Sequence, residues 1–196
     1  MKWQLVLSTK SSILQMLNLF VVFQKKVRFS LVVLLLISLL VAWEYFHGGV
    51  ARHYFLHDEN MPSFSNWWGL LSVPLAAWIS ISFIQKNMNT NQINESLKRR
   101  TVIGFIVAFL FGIMMCFLWN FKLENVMQFV ILLPLLLSLF TTVHRPEIFL
   151  GFVLGMVFTF GGVLSVGFGI FLLVLSFLIN GVVRKGVLFL WSRLNS

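Results

Sequence analysis

Charge is scarce in this chain of 196 residues: 11% is Asp, Glu, Lys or Arg, and only six residues are acidic. With 59% hydrophobic residues and a mean hydropathy of +0.91, a water-soluble globular fold is excluded, because almost every side chain would need hiding. Cysteine is nearly absent. Cys116 stands alone, so no intramolecular disulfide can form and the redox compartment is left open. Its expected role is packing inside an apolar run. There is no G-x-S-x-G and no H-E-x-x-H, so neither a serine hydrolase nor that type of zinc protease has motif support. No internal repeat argues for an inverted-repeat transporter. Ionisable groups inside the apolar runs are few beyond Glu44, which argues against a proton-coupled pump.

What is present is apolar and long. Six runs, at 29–46, 67–84, 101–119, 126–143, 148–164 and 166–183, each approach the length a helix needs to cross ~30 Å of hydrocarbon. β-Barrel strands would be shorter and would alternate apolar with polar residues. The sequence therefore predicts an all-α, polytopic membrane helix bundle of six transmembrane helices. The basic residues sort accordingly. With a cytoplasmic N-terminus, Lys2, Lys10, Lys25, Lys26, Arg28, Lys86, Lys98, Arg99, Arg100, Arg145, Arg184, Lys185 and Arg193 fall inside, and only Arg52 and Lys122 outside. That is the positive-inside pattern, and it predicts an integral membrane protein with N-terminus and C-terminus cytoplasmic. The net charge of +9 is read as topology and attraction to anionic membrane lipids, with no nucleic acid as partner.

Three regions are expected. Residues 1–28 form a cytoplasmic N-terminal interfacial segment, 29–183 the six-span domain, and 184–196 a short cytoplasmic tail. The first is no cleaved signal, since its apolar stretch ends in Gln24-Lys25-Lys26-Val27-Arg28 without a small-residue site. Ile13, Met16, Leu17, Phe20 and Val21 recur at helical spacing, which predicts an amphipathic interfacial helix. Pro74 and Pro134 are expected to kink their spans, and Pro146 to begin one. The charge-free stretch 148–183 is too long for one span, so a tight turn is expected within 161–167. Gly151 and Gly155 form a G-x-x-x-G pattern whose default role is helix packing, with a helix-mediated homo-oligomer as the other use.

The candidate chemistry lies outside the membrane. Glu44, His47, His53, His57, Asp58 and Glu59 fall within sixteen consecutive positions, 44–59. Glu44 and His47 share a face if the first span continues as helix, and so do His53 and His57 if 52–56 is helical. Gly48-Gly49 would fold one pair over the other. Glu44, His47, His53 and His57 then make a ligand set suited to zinc, leaving a position for activated water. Asp58 would orient a histidine or act as base. The bland account pairs Glu44 with Arg52 or a histidine, anchors Tyr54 and Phe55 in the interface, and leaves the other histidines hydrated. Ser65 or Asn66 is expected to cap the second span.

The expectation is thus a metal-dependent membrane enzyme acting at headgroup depth on a lipid or lipid-linked substrate. The rivals are a small-solute or metal transporter or channel, and a non-catalytic membrane assembly partner.

Overall fold

The computed structural model describes residues 2–50, 52–54, 63–90 and 95–184. Its long elements are all helices: α1 (Lys2–Phe46), α2 (Gly69–Thr90), α3 (Glu95–Asn120), α4 (Glu124–Val130), α5 (Leu133–Phe140) and α6 (Pro146–Leu178). A π-helical turn, Ile179–Arg184, continues α6. Two three-residue strands, β1 (Arg52–Tyr54) and β2 (Ser63–Ser65), pair antiparallel between α1 and α2.

Four helical segments are long and apolar enough to cross a membrane: Gln24–Phe46, Asn66–Met88, Glu95–Asn120 and Pro146–Val182. Their outer faces carry large apolar side chains in the open, among them Leu35, Leu39, Leu71, Val107 and Phe171, each more than half exposed. A face of that extent needs an apolar surround, and the bilayer supplies it. The chain is an integral membrane protein by this criterion.

α1 is one helix of 45 residues, with no break at 24–28 between the expected interfacial segment and the first span. Gln24, Lys25, Lys26 and Arg28 are all good helix formers, and neither Gly nor Pro occurs in α1. Gly48 and Gly49, at φ 126° and 104°, stop it, and the Gly49 N–H donates to the Glu44 carbonyl at 3.0 Å. Val33, Ile37 and Val41 recur every four residues and form its buried stripe. They join Val73 and Ala77 of α2, and Leu150, Val153 and Val157 of α6, in one core.

α3 packs against α6 through small residues. A Cβ on Gly151 or Gly155 would run into the backbone carbonyls of Phe105 and Phe109 respectively. One on Gly112 would lie 2.8 Å from the Phe152 carbonyl oxygen. The G-x-x-x-G face is therefore taken up within the chain by α3. Cys116 packs at the same seam, its thiol donating weakly to the Gly155 carbonyl at 3.4 Å.

The expected fourth span, 126–143, is two short helices. Pro134 has no N–H to return to Val130, so the ladder fails at Ile131-Leu132 and α5 restarts with proline in its first turn. The end of α3 is a Schellman turn. The Leu123 N–H reaches Leu118 O and the Lys122 N–H reaches Trp119 O, each at 2.9 Å, with Lys122 left-handed at φ 56°.

α6 doubles back. Gly161, at φ 74° and ψ 169°, is its one non-helical residue. A Cβ on Gly169 would lie 2.8 Å from the Phe149 ring and 2.9 Å from a Val153 methyl. Along a straight helix, residues 149 and 169 would be about 30 Å apart. The chain therefore reverses at Gly161, into arms 146–160 and 162–178. The reversal takes a single residue at the start of the expected turn, because Gly161 adopts a backbone conformation that residues with a Cβ resist.

The bundle thus has two distinct ends. Glu44, Asn66 and the Gly161 reversal meet at one, as do Trp119 and Phe160, whose rings are 5.5 Å apart. Asn87, Met88, Thr101, Arg145 and Glu147 meet at the other. There the Asn180 side-chain amide also donates to Ser138 O at 3.0 Å, tying the π-helical turn that follows α6 to α5.

Candidate functional site at the Glu44 end of the bundle

The strand pair brings the chain from α1 to α2. Arg52 faces Ser65 in register, His53 faces Phe64, and Tyr54 faces Ser63. Ser65 leads into a single 3-10 turn, Asn66–Trp68, and then into α2. Asn66 does not cap that helix. Its Nδ2 donates to Glu44 Oε1 at 2.8 Å, and its Oδ1 accepts the Gly162 N–H at 3.0 Å. Only one orientation of the amide satisfies both, since a flip would set oxygen against carboxylate.

Asn66 is 2% exposed, and its side chain bridges the end of α1 to the reversal in α6. The Gly162 N–H is one of the donors that the first turn of the second arm cannot satisfy internally, so Asn66 caps that arm from a distance. Close backbone approach makes this geometry available. A Cβ on Gly162 would collide with the Gly69 Cα, and one on Gly69 would lie 3.1 Å from Asn66 Oδ1. The Ser165 hydroxyl donates to the Gly161 carbonyl at 2.7 Å and fixes the other side of the turn.

His47 lies just beyond the last helical residue of α1, in the turn the glycines produce. Its ring stacks on Trp43, with centroids 3.7 Å apart, and its Nδ1 lies 2.9 Å from the Trp43 carbonyl oxygen. A proton on Nδ1 completes that bond and leaves Nε2 facing outward as an acceptor. Glu44 is half-buried while His47 is exposed. Trp43, Tyr45, Trp67 and Trp68 are also exposed around this end, as an interfacial aromatic belt would be.

Several expectations are refined here. Glu44 has Asn66 as one partner; the expected pairing with Arg52 or a histidine rests, for Arg52, His53 and His57, on side chains outside the described residues. The helical face for His53 and His57 does not form, because 52–54 is an extended, paired strand. His53 is placed by its backbone beside the segment that enters Asn66; His57 and Asp58 lie outside the described residues. Among the described residues, no three His, Cys, Asp or Glu side chains stand together as a metal set. Asn66 was legible only as a cap, and nothing in the sequence marked Gly162 as its partner.

At the opposite end, Glu147 is 6% exposed and lies 3.6 Å from Arg145 Nη1. It stands in the first turn of α6, where the helix dipole favours an acid, and nothing in the sequence signals its burial. His144 packs edge-on against Phe177 at 5.4 Å, across the bundle from His47.

Comparison of the chain with protein-family models, with curated proteins and with solved structures gives no match.

Proposed function

We propose that the chain crosses the membrane six times, with both termini cytoplasmic, and acts on a lipid or lipid-linked substrate through a metal site at its external end. The fold-back of α6 at Gly161 supports the count, as does the passage of α4 and α5 from the Trp119 end to the Arg145 end. The first arm of α6 has 15 residues, 146–160, or about 22 Å of helix, so local bilayer thinning accompanies this reading. Lys86, Lys98, Arg99, Arg100 and Arg145 lie toward the end that the charge rule assigns to the cytoplasm, with Lys122 at the other. The N-terminal stretch lies along the interface, with α1 bending near 24–28 as it meets the bilayer.

One observation carries the site: the Asn66–Glu44 hydrogen bond ties the end of α1 bearing Glu44 and His47 to the segment that follows β2, the strand paired with the one bearing His53. The outward Nε2 of His47, with Nδ1 on a backbone carbonyl, is the arrangement that metal-bound histidines use. Glu44, His47, His53 and His57 are the proposed zinc ligands, and Asp58 the proposed base. Zinc there would acidify a bound water beside a lipid headgroup. A homo-oligomer would use a face other than Gly151 and Gly155, which α3 occupies.

Metal analysis of the purified protein tests this. Stoichiometric zinc that falls sharply in His47→Ala and His53→Ala, but not in His144→Ala, supports the enzyme reading. Exchangeable metal with flux into liposomes would instead make the chain a carrier. No metal in the parent protein leaves an assembly role.

A further inference from the structure

Two cavities lie next to each other toward the end of the bundle remote from Asn66, lined by the neighbouring residues Glu147 and Ile148 respectively. One, of about 280 Å³, is bordered by Asn87, Met88, Thr101, Arg145 and Glu147. The other, of about 300 Å³, is almost wholly apolar and runs between α3, α5 and both arms of α6, past Val107, Leu137, Phe152 and Leu172. Gly104 stands between them. A Cβ placed there would lie 3.5 Å from the side chains of both Glu147 and Ile148, and Ile148 lines the apolar cleft while Glu147 lines the polar cavity.

Glu147 is one of six acidic residues in the chain and is 6% exposed. Its contact with Arg145, at 3.6 Å, is an ion pair too long for a hydrogen bond. Arg145 is held in place by its own Nε, which donates to Thr142 Oγ1 at 3.1 Å. The pair therefore presents a fixed positive and a fixed negative charge side by side, at interfacial depth, beside an apolar cleft.

We propose that the two neighbouring cavities bind one phospholipid with a zwitterionic headgroup bearing a primary ammonium, of the ethanolamine type. The phosphate lies against Arg145, the ammonium donates to Glu147, and one acyl chain fills the cleft. The selectivity follows from the acid. A choline headgroup has no N–H to donate and carries three methyl groups into the polar cavity. A glycerol headgroup brings a net negative charge to Glu147 with no cation to answer it. This rests on membrane embedding alone and is independent of the metal site.

The test reconstitutes the full chain in phosphatidylcholine vesicles containing equal minor fractions of phosphatidylethanolamine and phosphatidylglycerol. The protein is extracted in mild detergent and its retained lipids are measured by mass spectrometry. Phosphatidylethanolamine is expected several-fold above its bulk fraction, near one per chain. Glu147→Gln should return it to the bulk fraction without lowering phosphatidylglycerol. Val107→Trp should do the same by filling the cleft from a position that is 61% exposed, leaving both charged groups in place. Should Glu147→Gln fail to fold, Val107→Trp and the thermal stability of the parent chain decide. Added phosphatidylethanolamine raises that stability and phosphatidylcholine does not. Equal retention or equal stabilisation by the two lipids overturns the proposal, as does unchanged retention in both variants.

Discussion

Asn66→Leu replaces the buried amide with an apolar side chain of similar size, and the structure sets the scale of the loss. The Gly162 N–H is left buried without an acceptor, which costs about 1–3 kcal/mol. The bond to the Glu44 carboxylate also disappears; such bonds contribute about 1.5–3 kcal/mol, with the lower end applying because Glu44 is only half-buried. A total of about 3–4 kcal/mol is expected. Asn66→Asp keeps an acceptor for Gly162 but sets carboxylate against carboxylate, so it should also destabilise. Glu44→Gln should then rescue it, because the new amide donates to the new carboxylate. The coupling in that double-mutant cycle is expected at about 2 kcal/mol. Reversible unfolding in mixed micelles, driven by rising dodecyl sulfate and followed by tryptophan fluorescence, measures all five proteins. Asn66→Leu within 0.5 kcal/mol of the parent, or additive effects in the cycle, would falsify the bridging role (a threshold taken from the scatter of neutral surface changes).

Gly161→Ala forces a side chain into a glycine-only conformation and should cost about 1–3 kcal/mol in the same unfolding assay. Gly155→Ala should destabilise by a similar ~1–3 kcal/mol by driving α3 from α6, whereas Gly167→Ala, with nothing within 4 Å, should be neutral or slightly stabilising; equal effects would refute the packing account. Lys122→Gly should gain about 1 kcal/mol, because glycine accepts the left-handed conformation that lysine holds under strain. For topology, Lys122→Cys should react with an impermeant maleimide in intact cells and Lys98→Cys only after lysis, with Cys116 replaced by serine in both; the opposite pattern would invert the bundle.

Membrane class was legible because it depends on quantities that add along the chain. Run length and charge asymmetry need no knowledge of contacts, and the long helices at 24–46, 66–88 and 95–120 sit close to the apolar runs that announced them. The tight turn near Gly161 was legible too, since glycine density and a charge-free run too long for one span leave few alternatives. The division at Ile131-Leu132 was harder to read: a proline in an apolar run gives a kink or a restart depending on whether neighbours satisfy the freed carbonyls. At the candidate site, the sequence supplied Glu44 and His47 at the end of the first span. It could not supply Asn66 as a partner of Glu44, because that pairing links positions 22 apart through a strand pair with no strong β pattern. The burial of Glu147 was not legible for the same reason, as it depends on how α2 and α3 flank the start of α6.

The Asn66 bridge also sets an order of assembly during synthesis. Glu44 and Asn66 emerge 22 residues apart and can pair early, but Gly162 follows Asn66 by 96 residues. At translation rates of about 5–20 residues per second, the Asn66 carbonyl waits roughly 5–20 s for its donor. In that interval the second helix is held to the first but not to the last pair, and its Gly69 surface is open to whatever the insertion machinery or the lipid presents. Arrival of the helical hairpin ends the wait, since seating Gly162 against Gly69 and bonding to Asn66 are one event. A ribosome stalled before position 162 should therefore leave a nascent chain whose α2 is accessible to cross-linking at Gly69 and which becomes protected only when the hairpin is released.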